Sequence, residues 1–127
     1  MSEEMENIYN IKEDGMTGYV HIADEVLAII AGLAAREVEG VSKLTGNLPN
    51  ELASRLGKKN HAKGVRIELS GSEVMVELTL EILYDYNIKS VSAAVQNKVK
   101  QAIETMTGLT VTEVNIRIAG VKIKDVN

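Results

Sequence analysis

From Val65 to Leu83 the chain alternates apolar and polar side chains with a period of two, interrupted by Ser70-Gly71-Ser72. On the first arm Val65, Ile67 and Leu69 share one side, with Arg66 and Glu68 on the other. On the second, Val74, Val76, Leu78, Leu80 and Ile82 share one side. Glu73, Glu77, Thr79 and Glu81 share the other, with Met75 and Leu83 as exceptions. Successive side chains of an extended strand point to opposite faces, so the pattern predicts a hairpin with one buried and one wet face. Arg66 is expected to face one of the glutamates across that hairpin.

The buried face must be covered, and two helices are available. Val26 to Ala35 is ten consecutive residues without a polar side chain, an apolar cylinder where a surface helix shows only a stripe. Asp24 and Glu25 precede it, at the end where the helix dipole favours carboxylates. The helix is read to about Glu39, with Gly40 as a left-handed stop. Val26, Ile30 and Leu33 make a face of large side chains; Ala28, Ala31, Gly32 and Ala35 make a face of small ones. Two partners follow: the sheet on one side, and the second helix or another subunit on the other. A second helix over the small face is the favoured reading, and a homo-oligomer through Ala28, Ala31, Gly32 and Ala35 is the alternative.

The second helix is read as starting after Ser90, an N-cap residue type. Val91, Val95, Val99, Ala102, Ile103 and Met106 form its apolar stripe, and Gly108 ends it. Burying five such side chains contributes on the order of 10 kcal/mol before chain entropy is subtracted. Gly18–Ile22 reads as a short first strand. A last strand carries Val114, Ile116 and Ile118 inward and Asn115 and Arg117 outward, and its phase slips at Ala119-Gly120, a bulge signature. Leu48, Leu52 and Leu56 recur every four residues behind Pro49, which predicts a short helix near 49–56. The order β-α-β-β-α-β gives an α+β fold: a two-layer plait, ferredoxin-like in type, mostly antiparallel, with the helices on one face.

Charge divides the chain unevenly. Residues 1–14 hold five carboxylates against one lysine, which accounts for the whole formal charge of −4. Residues 1–15 are therefore read as an acidic, flexible N-terminal tail on a single domain spanning 16–127. Between Arg55 and Arg66 lie five of the fourteen basic residues and no carboxylate. Arg55, Lys58, Lys59, His61, Lys63 and Arg66 are the candidate partner-binding residues, in a connection too long to be idle in a compact domain.

Little in the sequence performs chemistry. The absence of cysteine removes thiolate nucleophiles, disulfides and Cys-ligated metals. His21 and His61 stand forty residues apart with no ligand at metal-site spacing, and His21 is read as a surface residue. There is no nucleophile elbow and no phosphate loop, since Gly57-Lys58-Lys59 lacks the earlier glycine and the following hydroxyl. Glu77 and Glu81 would suit acid–base work only inside a dry cleft. No enzyme, cofactor or metal is expected. A sheet-borne RNA site would need stacking aromatics where this chain places glutamates, so nucleic-acid binding is kept only as an alternative through the basic segment. The longest apolar run is about half a membrane span and no leader pattern precedes it, so a cytoplasmic protein is expected.

Gly18-Tyr19-Val20-His21-Ile22-Ala23 leading into the apolar helix, Glu37-Val38-Glu39-Gly40-Val41 at its end, and Thr107-Gly108-Leu109 followed by Val114-Asn115-Ile116 are similar to the alkaline-shock (general stress) protein family of Gram-positive bacteria. The resemblance covers roughly residues 17–123. Arg55 to Val65 resembles a cytosolic branch whose genes tend to lie with those of acetyl-CoA carboxylase. The resemblance implies a non-enzymatic protein acting by protein–protein association in envelope stress response or fatty-acid homeostasis. It implies carboxylase subunits or a membrane-anchoring protein as partners, membrane contact only through such a partner, and no catalytic residues.

Overall fold

The computed structural model describes residues 8–13, 16–46 and 62–123, with side chains from Val20 onward. The predicted helix near 49–56 lies outside the described residues. The elements in chain order are β1 (Ile8–Glu13), β2 (Met16–His21), α1 (Asp24–Arg36), β3 (Val41–Leu44), β4 (Val65–Ser70), β5 (Glu73–Leu83), α2 (Ile88–Thr107) and β6 (Thr110–Lys122).

The hairpin read from the alternating pattern is the centre of the fold. β4 and β5 pair antiparallel, with Arg66 opposite Glu77 and Ile67 opposite Val76. Val74, Val76, Leu78, Leu80 and Ile82 are at most 1% exposed. Both helices cover that face, giving the two-layer α+β plait expected from the sequence. β6 runs parallel to β5 along its other edge, after the crossover through α2 that a parallel neighbour needs. Its register slips between Leu80 and Glu81, where Ala119 is passed over, so the bulge stands where the phase change placed it.

The strands that complete the sheet differ from those expected. β5 has eleven residues and β4 only six, so β4 leaves the end of the shared edge uncovered. Unpaired strand groups are costly when buried, and β3 fills the gap, placing Lys43 opposite Glu81 and Leu44 opposite Leu80. β3 and β4 thus lie end to end along one edge of β5. Thr79 marks the joint: its carbonyl accepts from Thr45 N–H at 2.9 Å, and its N–H donates to Gly64 at 2.9 Å. The strand read at Gly18–Ile22 joins no part of this sheet. β2 pairs instead with β1 in a separate two-stranded sheet, with Glu13 opposite Met16. Residues 8–13, read as part of the acidic tail, therefore form a strand. The sequence signal was Asp14-Gly15 between two runs of strand formers, a strong two-residue hairpin cue.

α1 packs its small face on the second helix, as the favoured reading has it, and leaves open the large face that was expected against the sheet. Ala28, Ala31 and Ala35 are 4%, 0% and 0% exposed and Gly32 is buried, where the helix packs on α2, β3 and β4. Those four small residues are inside this chain's own core and offer no surface to another subunit. The large face is the open one, with Val26 and Leu33 each 45% exposed and Ile30 half-buried. Small side chains let two backbones approach closely, and Leu27, fully buried, supplies the bulk.

Helix boundaries also move. α1 ends at Arg36, and a turn leads to Gly40 at φ 101°, where a Cβ would lie 2.7 Å from the Tyr86 ring and 2.8 Å from Val91. α2 starts three residues before the predicted point, because the Asn87 side chain, not Ser90, caps it, accepting from Ser90 N–H at 2.9 Å. Met106, placed on the buried stripe by spacing, is 69% exposed. At the start of α1 the cap residue is Ala23, in extended geometry without a side-chain bond. Ala23→Ser supplies the missing acceptor and should raise stability by about 1 kcal/mol in urea unfolding.

Candidate docking surface

The cationic segment begins outside the described residues: Arg55, Lys58, Lys59 and His61 all lie there. Its end is described. Ala62 is fully buried, Lys63 is exposed, and Gly64 stacks against Thr45 and Gly46. A Cβ on Gly46 would sit 3.2 Å from Gly64 Cα, so the chain leaves the sheet and returns to it at one point. The bonds at Thr79 fix both ends.

Arg66 lies on the sheet and not in the turn that holds Lys63. It projects from β4 onto the open sheet face, in register with Glu77, and its guanidinium meets Glu68 Oε1 at 3.4 Å. Both side chains of that pair are more than half exposed, so the bond contributes little. The sequence gathers Arg66 with the lysines; the fold assigns Lys63 to a turn and Arg66 to the sheet.

The open face is polar and shallow. Arg66, Glu68, Met75, Glu77 and Asn115 line a depression of about 80 Å³, smaller than a drug-sized ligand needs. Glu77 is exposed and Glu81 accepts from Ser42 at 3.2 Å, two strand rows further along. No described residue encloses the two as an acid–base pair. His21 is exposed at the end of β2, as read. Among the described residues no three His, Asp or Glu side chains gather as a metal site, and no helix is long and apolar enough to cross a membrane.

One arrangement escaped the sequence reading. Gln96, Lys100 and Glu104 stand on α2 at intervals of four, so they form a single row along one flank of the helix. Glu104 accepts from Val111 N–H at 2.9 Å, Lys100 donates to Val111 C=O at 3.2 Å, and Gln96 donates to Val114 C=O at 3.0 Å. Lys100 also meets Glu104 at 2.8 Å. The lysine bond and the strand N–H together hold the Glu104 carboxyl below the usual carboxylate range. These residues were visible as the polar side of an amphipathic helix. That they fasten onto a strand edge depends on β6 lying beside them, which spacing does not reveal. At the other end of α2, Tyr86 donates to Glu39 at 3.0 Å, and that bond to a carboxylate raises the phenol's pKa.

Fold and surface together define a small two-layer α+β domain whose charged groups lie on open faces and at a pinned connection. The chain belongs to the alkaline-shock protein family, described by a cell envelope-related function, which it matches over residues 12–123. It is 38% identical to the uncharacterized protein YqhY of Bacillus subtilis, over 87% of this chain and 82% of that one. It is 27% identical to a stress response regulator gls24 homolog of Streptococcus pyogenes, over 85% of this chain and 61% of that one. A solved MamM CTD structure shares the fold at a TM-score of 0.54 and 14% identity, over 81% of this chain and 88% of that one. That likeness concerns backbone architecture alone.

Proposed function

We propose that this alkaline-shock-family protein is a cytoplasmic, non-enzymatic regulator in the stress response of the cell envelope or in fatty-acid homeostasis, and that it acts by binding other proteins. The observation that supports the reading is the stretch from Arg55 to Lys63, four basic side chains without a carboxylate, whose return point is fixed to the sheet at Gly64. Fixing the ends of a cationic segment keeps its charge at one place on the domain, where an anionic protein surface can meet it. Acetyl-CoA carboxylase subunits, or a membrane protein that anchors this one, are the partners of choice. The relatives' description as stress response regulators fits such a role.

Lys58→Glu, Lys59→Glu and Lys63→Glu together should abolish capture of the partner from native lysate while leaving the thermal melt nearly unchanged. Undiminished capture by the triple variant overturns the assignment. Mass spectrometry of the wild-type eluate separates the two branches: carboxylase subunits for the metabolic one, an integral-membrane protein for the envelope one. Binding to RNA or DNA that falls steeply with salt would instead place nucleic acid on the same segment.

A further inference from the structure

β6 is an outer strand, paired only with β5 among the described residues. Its first half is closed off by the Gln96–Lys100–Glu104 row, which occupies the outward groups of Val111 and the Val114 carbonyl. The next two residues of that row are Ser92 and Ile88, the first short and the second apolar, and the capping stops at Gln96.

The direction of the remaining groups follows from Thr79. It turns both its N–H and C=O towards β4 and β3, so Leu78 and Leu80 turn theirs towards β6. In a parallel ladder those two bond to the neighbours of their opposite residues. Ile116 and Ile118, opposite Leu78 and Leu80, therefore point their backbone groups away from the sheet. Past the bulge, Val121 stands opposite Ile82 and does the same. An open edge of this kind is a template for another strand.

Its surroundings select the strand. Val121, Ile123, Tyr84 and Ile88 are 49%, 73%, 61% and 45% exposed. Tyr84 is tied to β6 through its N–H bond to Lys122 C=O at 2.9 Å. On the opposite side of the strand, Arg117 and Lys122 are exposed and take part in no ion pair among the described residues. The one carboxylate of β6, Glu113, lies in the capped half.

We propose that the edge of β6 from Asn115 to Ile123 docks an extended segment of a partner protein whose side chains alternate apolar and acidic, added to the sheet as a further strand. Backbone bonds to Ile116, Ile118 and Val121 supply the pairing. The apolar side chains lie with Val121 and Ile123, and the carboxylates meet Arg117 and Lys122. A second copy of this chain fits poorly, because pairing β6 with itself sets two cationic edges against each other. None of the residues that make this edge belongs to the 55–66 segment.

The test uses the full ¹⁵N-labelled chain and two seven-residue peptides, one alternating valine with glutamate and one alternating valine with lysine. The glutamate peptide should slow amide exchange at Ile116, Ile118 and Val121 by at least about tenfold, and the lysine peptide should not. N-methylating the peptide on the amides that face β6 should remove the effect. Arg117→Glu with Lys122→Glu should reverse the preference between the peptides. Absence of protection at those three amides, equal protection by both peptides, or protection that accompanies dimerisation without peptide each overturns the proposal.

Discussion

Gly64→Ala should destabilise the protein by at least about 3 kcal/mol in urea unfolding, the sum of a strained left-handed alanine and disrupted hydrogen bonds. Gly64 has φ 78°, and a Cβ there would collide with the Thr45 carbonyl oxygen and lie 3.0 Å from Thr45 N. The obstacle is backbone, which cannot rotate aside as a side-chain tip can. Nor is it free to shift, because Thr45 N–H is bonded to Thr79 and Thr79 N–H to Gly64. Gly71→Ala is the matched control. Gly71 also has positive φ, 61°, but nothing lies within 4 Å of its Cβ position. It should lose only the conformational part, about 1 kcal/mol. Equal losses at the two sites would mean that the meeting of β3 and β4 is not tightly packed.

Ala31→Leu should cost about 3 kcal/mol, the upper end of what overpacking a closed core produces. Ala31 is fully buried in the core cluster that α1 shares with Val95, Val99 and Ile103 of α2. Three added carbons enter a fully buried site, so the helices must part or the side chain must leave its rotamer well. Leu33→Ser, two positions along, removes a larger side chain from a face that is 45% exposed, and should change stability by less than about 1 kcal/mol. The pair therefore distinguishes the observed orientation of α1 from the opposite one, in which the large face is buried and the small face is open.

That orientation is the point at which the sequence was least informative. A stripe tells a helix which way to face, but ten apolar residues in succession present no polar side to exclude. The choice is made by distance: α1 must lie close to α2 and the sheet together, and only alanine and glycine permit it. The hairpin was legible to the register because its alternation leaves no second solution, and the same holds for the bulge at Ala119-Gly120. β3 was not legible. Val41–Leu44 is four residues with serine and lysine at its centre, and its reason for existing is the length of β5, a fact about a different segment. The charges of the 55–66 stretch were legible one by one. The place of Arg66 on the sheet was legible as well, because the alternation begins at Val65 and puts Arg66 on the polar side of the hairpin.

The meeting of Gly46 and Gly64 has an evolutionary consequence. Seventeen residues, 47–63, connect Gly46 to Gly64. Doubling the length of a connection between fixed ends costs only about 0.6 kcal/mol in closure entropy. Descendants of this domain can therefore lengthen, shorten or recharge that stretch, while the hydrogen bonds at Thr45, Gly64 and Thr79 are inherited unaltered.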